Sequence, residues 1–160
     1  MSHPVFIKLA LAALLAASSL SAVVHAESQG PRVTPLPSYQ QECAACHMAY
    51  PPGMLPGASW QRIMGALDKH YGADASLEQT TQRAISDWLK AHAGTYKRVS
   101  EQPAQDRITK STWFLRKHRD GEVPAGVWKR ASVGSAANCT ACHSNGAQGN
   151  FSERDVKIPK

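Results

Sequence analysis

Cysteine is scarce in this chain of 160 residues: there are four, and all of them lie in two short motifs. None is therefore left over for a disulfide or for a separate catalytic thiol. Methionine is equally scarce, and none follows Met64, so the second half of the chain has no thioether side chain of its own. The N-terminus has almost no charge, because Lys8 is the only charged residue before Glu27.

The four cysteines form two motifs of identical spacing. Cysteine, two residues, cysteine and histidine occur at 43–47 and again at 139–143, and this is the spacing of a c-type haem attachment site. The two thiols of such a motif bond to one haem, and the histidine becomes an axial ligand of its iron. We therefore predict two covalently bound haem c groups. The residues assigned to them are Cys43, Cys46, His47, Cys139, Cys142 and His143.

Other uses of paired cysteines fit less well. A four-cysteine zinc ribbon also has two Cys-x-x-Cys pairs, but these are usually separated by roughly 15–20 residues. Cys46 and Cys139 are much farther apart, and zinc would not account for a histidine after both pairs. A thioredoxin-like dithiol needs a βαβ context, and no strand pattern lies near either motif.

The first 26 residues have the form of a secretory signal peptide. Lys8 precedes the apolar stretch Leu9–Ala17, and Val24–Ala26 is an acceptable cleavage site. An uncleaved membrane anchor is the alternative, but serines at 18, 19 and 21 leave the apolar run short of the roughly 20 residues that span a bilayer. We expect cleavage after Ala26 and a mature protein without stable membrane insertion. A bacterial periplasm fits both the signal peptide and haem c, which is attached outside the cytoplasm.

Charge is uneven along the rest of the chain, which we divide into haem domains at 27–94 and 95–160. Residues 27–92 have five Lys or Arg and six Asp or Glu, a net charge of −1. Residues 93–160 have twelve Lys or Arg and six Asp or Glu, a net charge of +6. A basic patch near a haem would steer an acidic redox partner towards it. Nucleic acid is not an expected partner outside the cytoplasm.

The sixth ligand of each iron decides what a haem can do. Methionine opposite histidine raises the reduction potential, two histidines leave it lower, and an open position allows gas binding or catalysis. The candidate ligands outside the motifs are His70, His92 and His118. His70 shares the apolar face of a predicted helix. His118 is the only histidine of the second half that lies outside a motif. His92 ends a predicted helix, where a histidine interacts favourably with the helix dipole. We predict His70 on the first haem and His118 on the second; a crossed arrangement, with His70 on the second haem, is the alternative.

Helical periodicity predicts a mainly α fold with much irregular structure. The predicted helices are Ser38–Met48, Ser59–Tyr71, Glu78–Ala93, one or two turns at 112–115 and a short helix from about Ser135. We find little sign of a sheet. Two haems would replace part of the packing that a sheet otherwise supplies.

Runs around and between the motifs resemble the small bacterial dihaem cytochrome c family. These runs are Glu42–Pro56, Asp68–Gly72, Trp113–His118, Asn138–His143 and Ser152–Pro159. The resemblance extends over nearly the whole chain after the signal peptide, and it is more specific than Cys-x-x-Cys-His alone.

The resemblance implies a periplasmic electron carrier with two bis-histidine, low-potential haems. Its fold would join a first half similar to class I cytochrome c to a smaller, irregular second half. His70 and His118 match the distal ligand positions of the family, whereas His92 does not. The implied partners are an oxygen-binding monohaem cytochrome c and, as electron donor, a membrane b-type cytochrome.

These observations favour a non-enzymatic electron-transfer protein. Electrons would enter at one haem, pass to the other and leave to a docked protein. One alternative is an electron-transfer subunit of a membrane redox complex. Another is a small haem enzyme or gas-binding protein with one open iron, but no acid–base group accompanies either motif and the chain is short for a dihaem peroxidase.

Overall fold

In the part of the chain that the structure describes, four α-helices connected by turns and loops make up most of the regular structure. The computed structural model describes residues 33–94, 99 and 101–160. The helices are α1 (Pro37–Cys43), α2 (Gly57–Met64), α3 (Gln79–Ala91) and α4 (Thr112–Lys117). In these described ranges there is no strand, only an isolated bridge between His70 and Ala73. The predicted mainly α fold with much irregular structure is confirmed.

Two predictions concern residues outside the described part of the chain. The signal peptide and its cleavage site precede residue 33. The domain boundary at 94/95 adjoins residues 95–98, which are not described either, so the division into 27–94 and 95–160 stays a prediction. Within the described ranges, no helix is long and apolar enough to cross a membrane.

The apolar core lies in the first half, where α2 and α1 pack against α3. Ile85 and Leu89 are one helical turn apart on α3 and are 0% and 1% exposed. Burial of each such side chain contributes about 1.5–3 kcal/mol relative to exposure. The other members of the core are Tyr39, Ala49, Leu55, Trp60, Met64 and Leu67. This core holds α1 in place, and α1 ends at the first cysteine of the first motif.

The ends of α3 are defined by a side-chain cap and by a close backbone approach. The Glu78 carboxylate accepts hydrogen bonds from the backbone N–H groups of Thr80 and Thr81 at 2.8 and 3.1 Å, which satisfies two free donors of the first turn. Beyond the helix, a Cβ on Gly94 would lie 2.5 Å from the Gly53 carbonyl oxygen. Only glycine permits this approach. The helix predicted at Glu78–Ala93 is confirmed, with ends that differ from the prediction by at most two residues.

Two predicted helices of the first half are too long. The helix predicted at Ser38–Met48 ends at Cys43, so the rest of the first motif is a turn. The helix predicted at Ser59–Tyr71 ends at Met64, because Gly65 caps it and the next residue leaves helical geometry with φ −137° and ψ 39°. His70 therefore lies outside this helix, and the prediction that it shares the apolar face of the helix is wrong.

The second half has little helix and few buried apolar side chains. Phe114, Val127 and Val133 are 6%, 1% and 2% exposed. The helix predicted from about Ser135 is only a single 3₁₀ turn at the second motif. The 3₁₀ segments of the whole described chain are Pro52–Met54, Leu67–Lys69, Ala104–Asp106, Ile108–Lys110, Ala125–Lys129, Cys139–Ala141, Gly146–Gln148 and Glu153–Asp155.

Polar contacts join the second half to the first. Arg62 donates from Nε and Nη2 to the two carboxylate oxygens of Asp106 at 2.9 and 2.7 Å, a fork geometry that favours the charged forms. This ion pair holds the pKa of Asp106 below its usual range. The Tyr71 hydroxyl donates to the carbonyl oxygens of Gln105 and Asp106, both at 3.1 Å. The Arg107 guanidinium lies 4.2 Å over the Tyr71 ring.

Candidate haem sites

The first motif begins where α1 meets the core and ends in an exposed turn. Cys43 is half-buried and packs against the core, and Cys46 is exposed. Burial and then the Glu42 carboxylate raise the pKa of Cys43 to about 11. His47 donates from Nδ1 to the Met48 carbonyl oxygen at 2.7 Å. Since a carbonyl only accepts, Nδ1 carries the proton and Nε2 is free to bind a metal.

His70 reaches His47 from a tight turn. It follows the 3₁₀ segment Leu67–Lys69, and Ala73 N–H donates back to its carbonyl oxygen at 3.0 Å. The two residues inside this turn, Tyr71 and Gly72, have φ of 51° and 102°, so the chain reverses within four residues. The His70 and His47 rings have centroids 6.1 Å apart and planes 24° apart.

The electrostatics around His70 favour a neutral ring. Burial, then the neighbouring His47 and Arg107, lower the pKa of His70. A neutral imidazole is the form that binds metals. The turn, the facing ring and the lowered pKa together make His70 suitable as a ligand, although it lies outside α2.

The second motif is held by a 3₁₀ turn and by aromatic packing. The N–H of His143 donates to the Cys139 carbonyl oxygen at 2.8 Å. Burial raises the pKa of both Cys139 and Cys142. The Phe151 ring lies 5.2 Å from the His143 ring. A Cβ on Gly146 would lie 3.2 Å from the Phe151 ring. Burial, then His118, lower the pKa of His143, so this ring too favours the neutral form.

His118 caps the C-terminus of α4 and faces His143. Its Nδ1 donates to the Phe114 carbonyl oxygen at 3.0 Å, and its ring stacks on Phe114 with centroids 4.0 Å and planes 15° apart. The centroid of the Trp128 ring lies 6.0 Å from that of the His118 ring. The His118 and His143 centroids are 6.2 Å apart, with planes 72° apart. The two histidine pairs therefore differ little in separation but greatly in relative orientation.

His92 has a different environment. It lies at the C-terminal cap of α3, where Nδ1 donates to the Trp88 carbonyl oxygen at 2.8 Å and the ring packs 5.1 Å from that of Trp88. A histidine in this position interacts favourably with the end of a helix. The structure thus gives His92 the contacts of a helix-end residue.

The spacing of both histidine pairs fits a metal between the rings. Imidazole nitrogens bind metals at about 2 Å, so two rings on opposite sides of one metal have centroids about 6 Å apart. The measured separations of 6.1 and 6.2 Å agree with this distance. The arrangement brings together His47 with His70 and His118 with His143, not the crossed pairs. The donor set, two imidazoles beside two thiols, suits haem c iron.

Two further observations bear on the cofactor. Among the described residues, no three Cys, His, Asp or Glu side chains cluster as they would around a single metal ion. Within the same ranges, the Trp113 indole N–H is buried without a hydrogen-bond partner. Such a group is costly unless it finds an acceptor, and the carboxylates of a haem are acceptors.

Several residues at these sites were not predicted. Phe114 could have been found, because it precedes His118 by four residues and so shares its helix face. Phe151 and Tyr50 had no such signal, since Phe151 follows the second motif in an irregular tail and Tyr50 follows the first in a loop. Both contact a motif histidine.

Comparison with known proteins agrees with this geometry. The sequence model of the family described as dihaem cytochrome c matches residues 39–151. A crystal structure of DHC purified from Rhodobacter sphaeroides is 39% identical, with a TM-score of 0.65, and the match covers 74% of this chain and 99% of that one. A diheme cytochrome type c from Shewanella baltica is 35% identical, with a TM-score of 0.67, over 77% of this chain and 92% of that one.

A second structure of the Rhodobacter sphaeroides diheme cytochrome c is 38% identical over 74% of this chain and 98% of that one, with a TM-score of 0.66. No curated protein matches the chain. The family match and the solved structures confirm the prediction of two haem c groups. The chain therefore belongs to the dihaem cytochrome c family, carries two haem c groups and functions in electron transfer.

Proposed function

We propose that this protein is a non-enzymatic, low-potential electron carrier in which both haem irons have two histidine ligands. The observation that carries the proposal is the pairing of His47 with His70 and of His118 with His143 at nearly the same separation. In this proposal Cys43 and Cys46 attach the first haem, and the cysteines of residues 139–143 attach the second.

The side chains around each pair have defined roles. When bound, each haem iron supplies a centre that accepts and releases one electron. The Nδ1–H groups of His47 and His118 donate to backbone carbonyls, which fixes the ring orientation and makes the opposite nitrogen a stronger donor to iron. Phe114 and Trp128 cover the second pair with apolar rings, and an apolar surrounding is one of the factors that tunes the potential.

The low potential follows from the ligand type. A methionine ligand would raise the potential relative to histidine. Met64 is 4% exposed in the helical core of the first half, so it packs as a core side chain. With a histidine pair as its protein ligands, each iron would have a reduction potential in the lower part of the cytochrome c range.

A haem enzyme or gas-binding protein is disfavoured by the same geometry. Such a function needs an open or readily opened iron position. Here a second imidazole faces each motif histidine, and the His118 ring is held by both a hydrogen bond and a stack on Phe114. Electron transfer would need no such open position, so two imidazoles that face each other suit an electron carrier.

The visible spectrum of the reduced protein with and without carbon monoxide tests the proposal. No change on adding carbon monoxide is expected, because two strong protein ligands leave no site for it. A shift in about half of the haem signal would show that one of the two irons is open, and the carrier hypothesis would give way to gas binding or catalysis.

We further propose that the partner docks on the basic surface beside the second haem. The exposed basic side chains there are Arg116, Lys117, Arg119, Lys129 and Arg130. Leu115 lies among them and is 55% exposed. A positive rim around an apolar side chain suits a transient complex with an acidic redox protein. An oxygen-binding monohaem cytochrome c fits this role, with a membrane b-type cytochrome as the electron donor.

We place the protein in the periplasm. The support is the basic, apolar and small-residue pattern of residues 1–26 together with the haem c motifs. N-terminal sequencing of protein purified from a periplasmic fraction tests this directly, with Glu27 as the expected first residue. Intact Met1 on a membrane-bound protein would show an uncleaved anchor instead.

A further inference from the structure

Tyr50 connects the first candidate haem site to the segment that leads into the second. Its ring stacks on the imidazole of His47, with centroids 5.0 Å and planes 29° apart. Its hydroxyl donates a hydrogen bond of 2.8 Å to the backbone carbonyl oxygen of Ala137, 87 residues later in the chain. Ala137 lies two residues before Cys139, the first cysteine of the second motif. One side chain therefore connects the axial histidine of one motif to the segment that leads into the other.

Both ends of this connection are held in place. The hydroxyl of Tyr39, which is 3% exposed in the core, donates to the Tyr50 carbonyl oxygen at 2.7 Å. At the other end, the Cys139 N–H donates to the same Ala137 carbonyl oxygen at 3.0 Å.

We infer that Tyr50 is a positioning residue that sets the separation of the two haems and thereby governs electron exchange between them. The inference rests on the proposed two-haem carrier. Exchange between two centres slows steeply as they move apart. Reduction of one haem also disfavours reduction of the other through a Coulomb interaction that weakens with distance. A bond that ties the His47 side to the Cys139 side acts on both quantities.

The other contacts between the halves are less suited to this role. The Arg62–Asp106 ion pair ends at neither motif, and its arginine side chain is 43% exposed, so its contribution is reduced by solvent. The Tyr71 hydroxyl bonds to the carbonyls of Gln105 and Asp106, which also lie outside both motifs. Tyr50 alone among these contacts the neighbourhood of both motifs.

Tyr50→Phe tests the inference, with Tyr71→Phe as a matched control. Each substitution removes one hydroxyl and keeps the ring beside an axial histidine: Tyr50 on His47, and Tyr71 at 5.0 Å from His70. Each hydroxyl bonds to backbone carbonyls more than 30 residues away, as the separations of 87, 34 and 35 residues show. Of the two, only the Tyr50 bond reaches the segment that leads into the second motif.

Two measurements on the haem-loaded variants provide the readout. The first is proton NMR of half-reduced samples, in which exchange between the one-electron forms broadens the haem methyl resonances. The second is a potentiometric titration, which gives the difference between the two reduction potentials. In Tyr50→Phe we expect slower electron exchange. We also expect a smaller difference between the two reduction potentials, because haems that lie farther apart repel each other less. Tyr71→Phe should keep the wild-type values of both quantities. Hydrogen exchange around Ala137 should rise about fivefold in Tyr50→Phe, as expected for loss of one hydrogen bond.

The outcomes separate this inference from the function on which it rests. If Tyr50→Phe retains wild-type exchange and wild-type potentials while both haems stay low-spin, the inference is wrong and the carrier proposal stands. If the wild-type protein binds carbon monoxide, the bis-histidine proposal fails first. Should Tyr50→Phe fold poorly, Tyr50→Trp keeps an aromatic ring over His47 without the same hydroxyl, and the same two measurements decide.

Discussion

Replacement of His70 or His118 by alanine should open one haem iron in each case. Each ring faces one motif histidine, at 6.1 and 6.2 Å, so each substitution removes one proposed axial ligand from one of two haems. Carbon monoxide should then shift half of the haem absorbance of either reduced variant. The double variant should respond with all of its haem, because neither iron keeps a second ligand.

His92→Ala is the matched control for these variants. It also removes one imidazole, with an Nδ1 hydrogen bond to a carbonyl four residues earlier, as in His118. We expect no response to carbon monoxide, because this ring packs on Trp88 instead of facing a motif histidine. Free imidazole should restore the six-coordinate spectrum of the His70 and His118 variants, which would distinguish loss of a ligand from loss of the fold.

Electron paramagnetic resonance of the oxidised variants assigns each histidine to its haem. The spectrum of a low-spin ferric haem becomes more anisotropic as its two axial ring planes approach perpendicular. The first pair is 24° from parallel and the second pair is at 72°, so the wild type should give two distinct signals. His70→Ala should remove the less anisotropic signal and His118→Ala the more anisotropic one.

Two results would refute this reasoning. Carbon monoxide binding by His92→Ala, with no binding by His70→Ala, would place His92 on the first iron. Loss of the more anisotropic signal in His70→Ala would establish the crossed arrangement, in which His70 belongs to the second haem.

Three other predictions follow from the surface, the titrating groups and the buried indole. Charge reversal at Arg116 and Lys129 should slow association with an acidic redox partner about tenfold or more at low salt, measured by stopped-flow, whereas reversal at Arg83 on α3 should have little effect. Because the pKa values of His70 and His143 are lowered by burial, the unfolded chain binds more protons below about pH 6.5. The free energy of unfolding should therefore decrease as the pH falls through that value, and unchanged thermal melts at mildly acidic pH would contradict this. Trp113→Phe should destabilise the haem-loaded protein by about 1–3 kcal/mol if its indole N–H bonds to a haem carboxylate, and calorimetry showing no loss would exclude such a bond.

The attachment motifs were predictable because their chemistry requires neighbouring residues. Two thiols and a histidine must meet one haem, so the whole requirement fits into residues 43–47 and 139–143. The α3 helix was predictable for a similar reason: its apolar spacing is local, and its end residues differ from the prediction by one or two positions.

The position of His70 could not be predicted in the same way. Its helix was expected to continue to Tyr71, but Gly65 ends it and a reversal with positive φ at Tyr71 and Gly72 presents the ring. A bulky residue in the left-handed region is uncommon, and local sequence preferences argue against it. A tertiary contact holds that turn: the Arg107 guanidinium lies 4.2 Å over the Tyr71 ring.

The partial burial of Cys43 has a consequence for how the mature protein is made. Thiolates are the reactive form of cysteine, and against the helical core this thiol is covered and has its pKa raised to about 11. A chain that folded first would present its first haem site with one thiol shielded and protonated. Haem attachment at the first motif is therefore expected to precede the closure of α1 onto α3, so that ligation comes before folding.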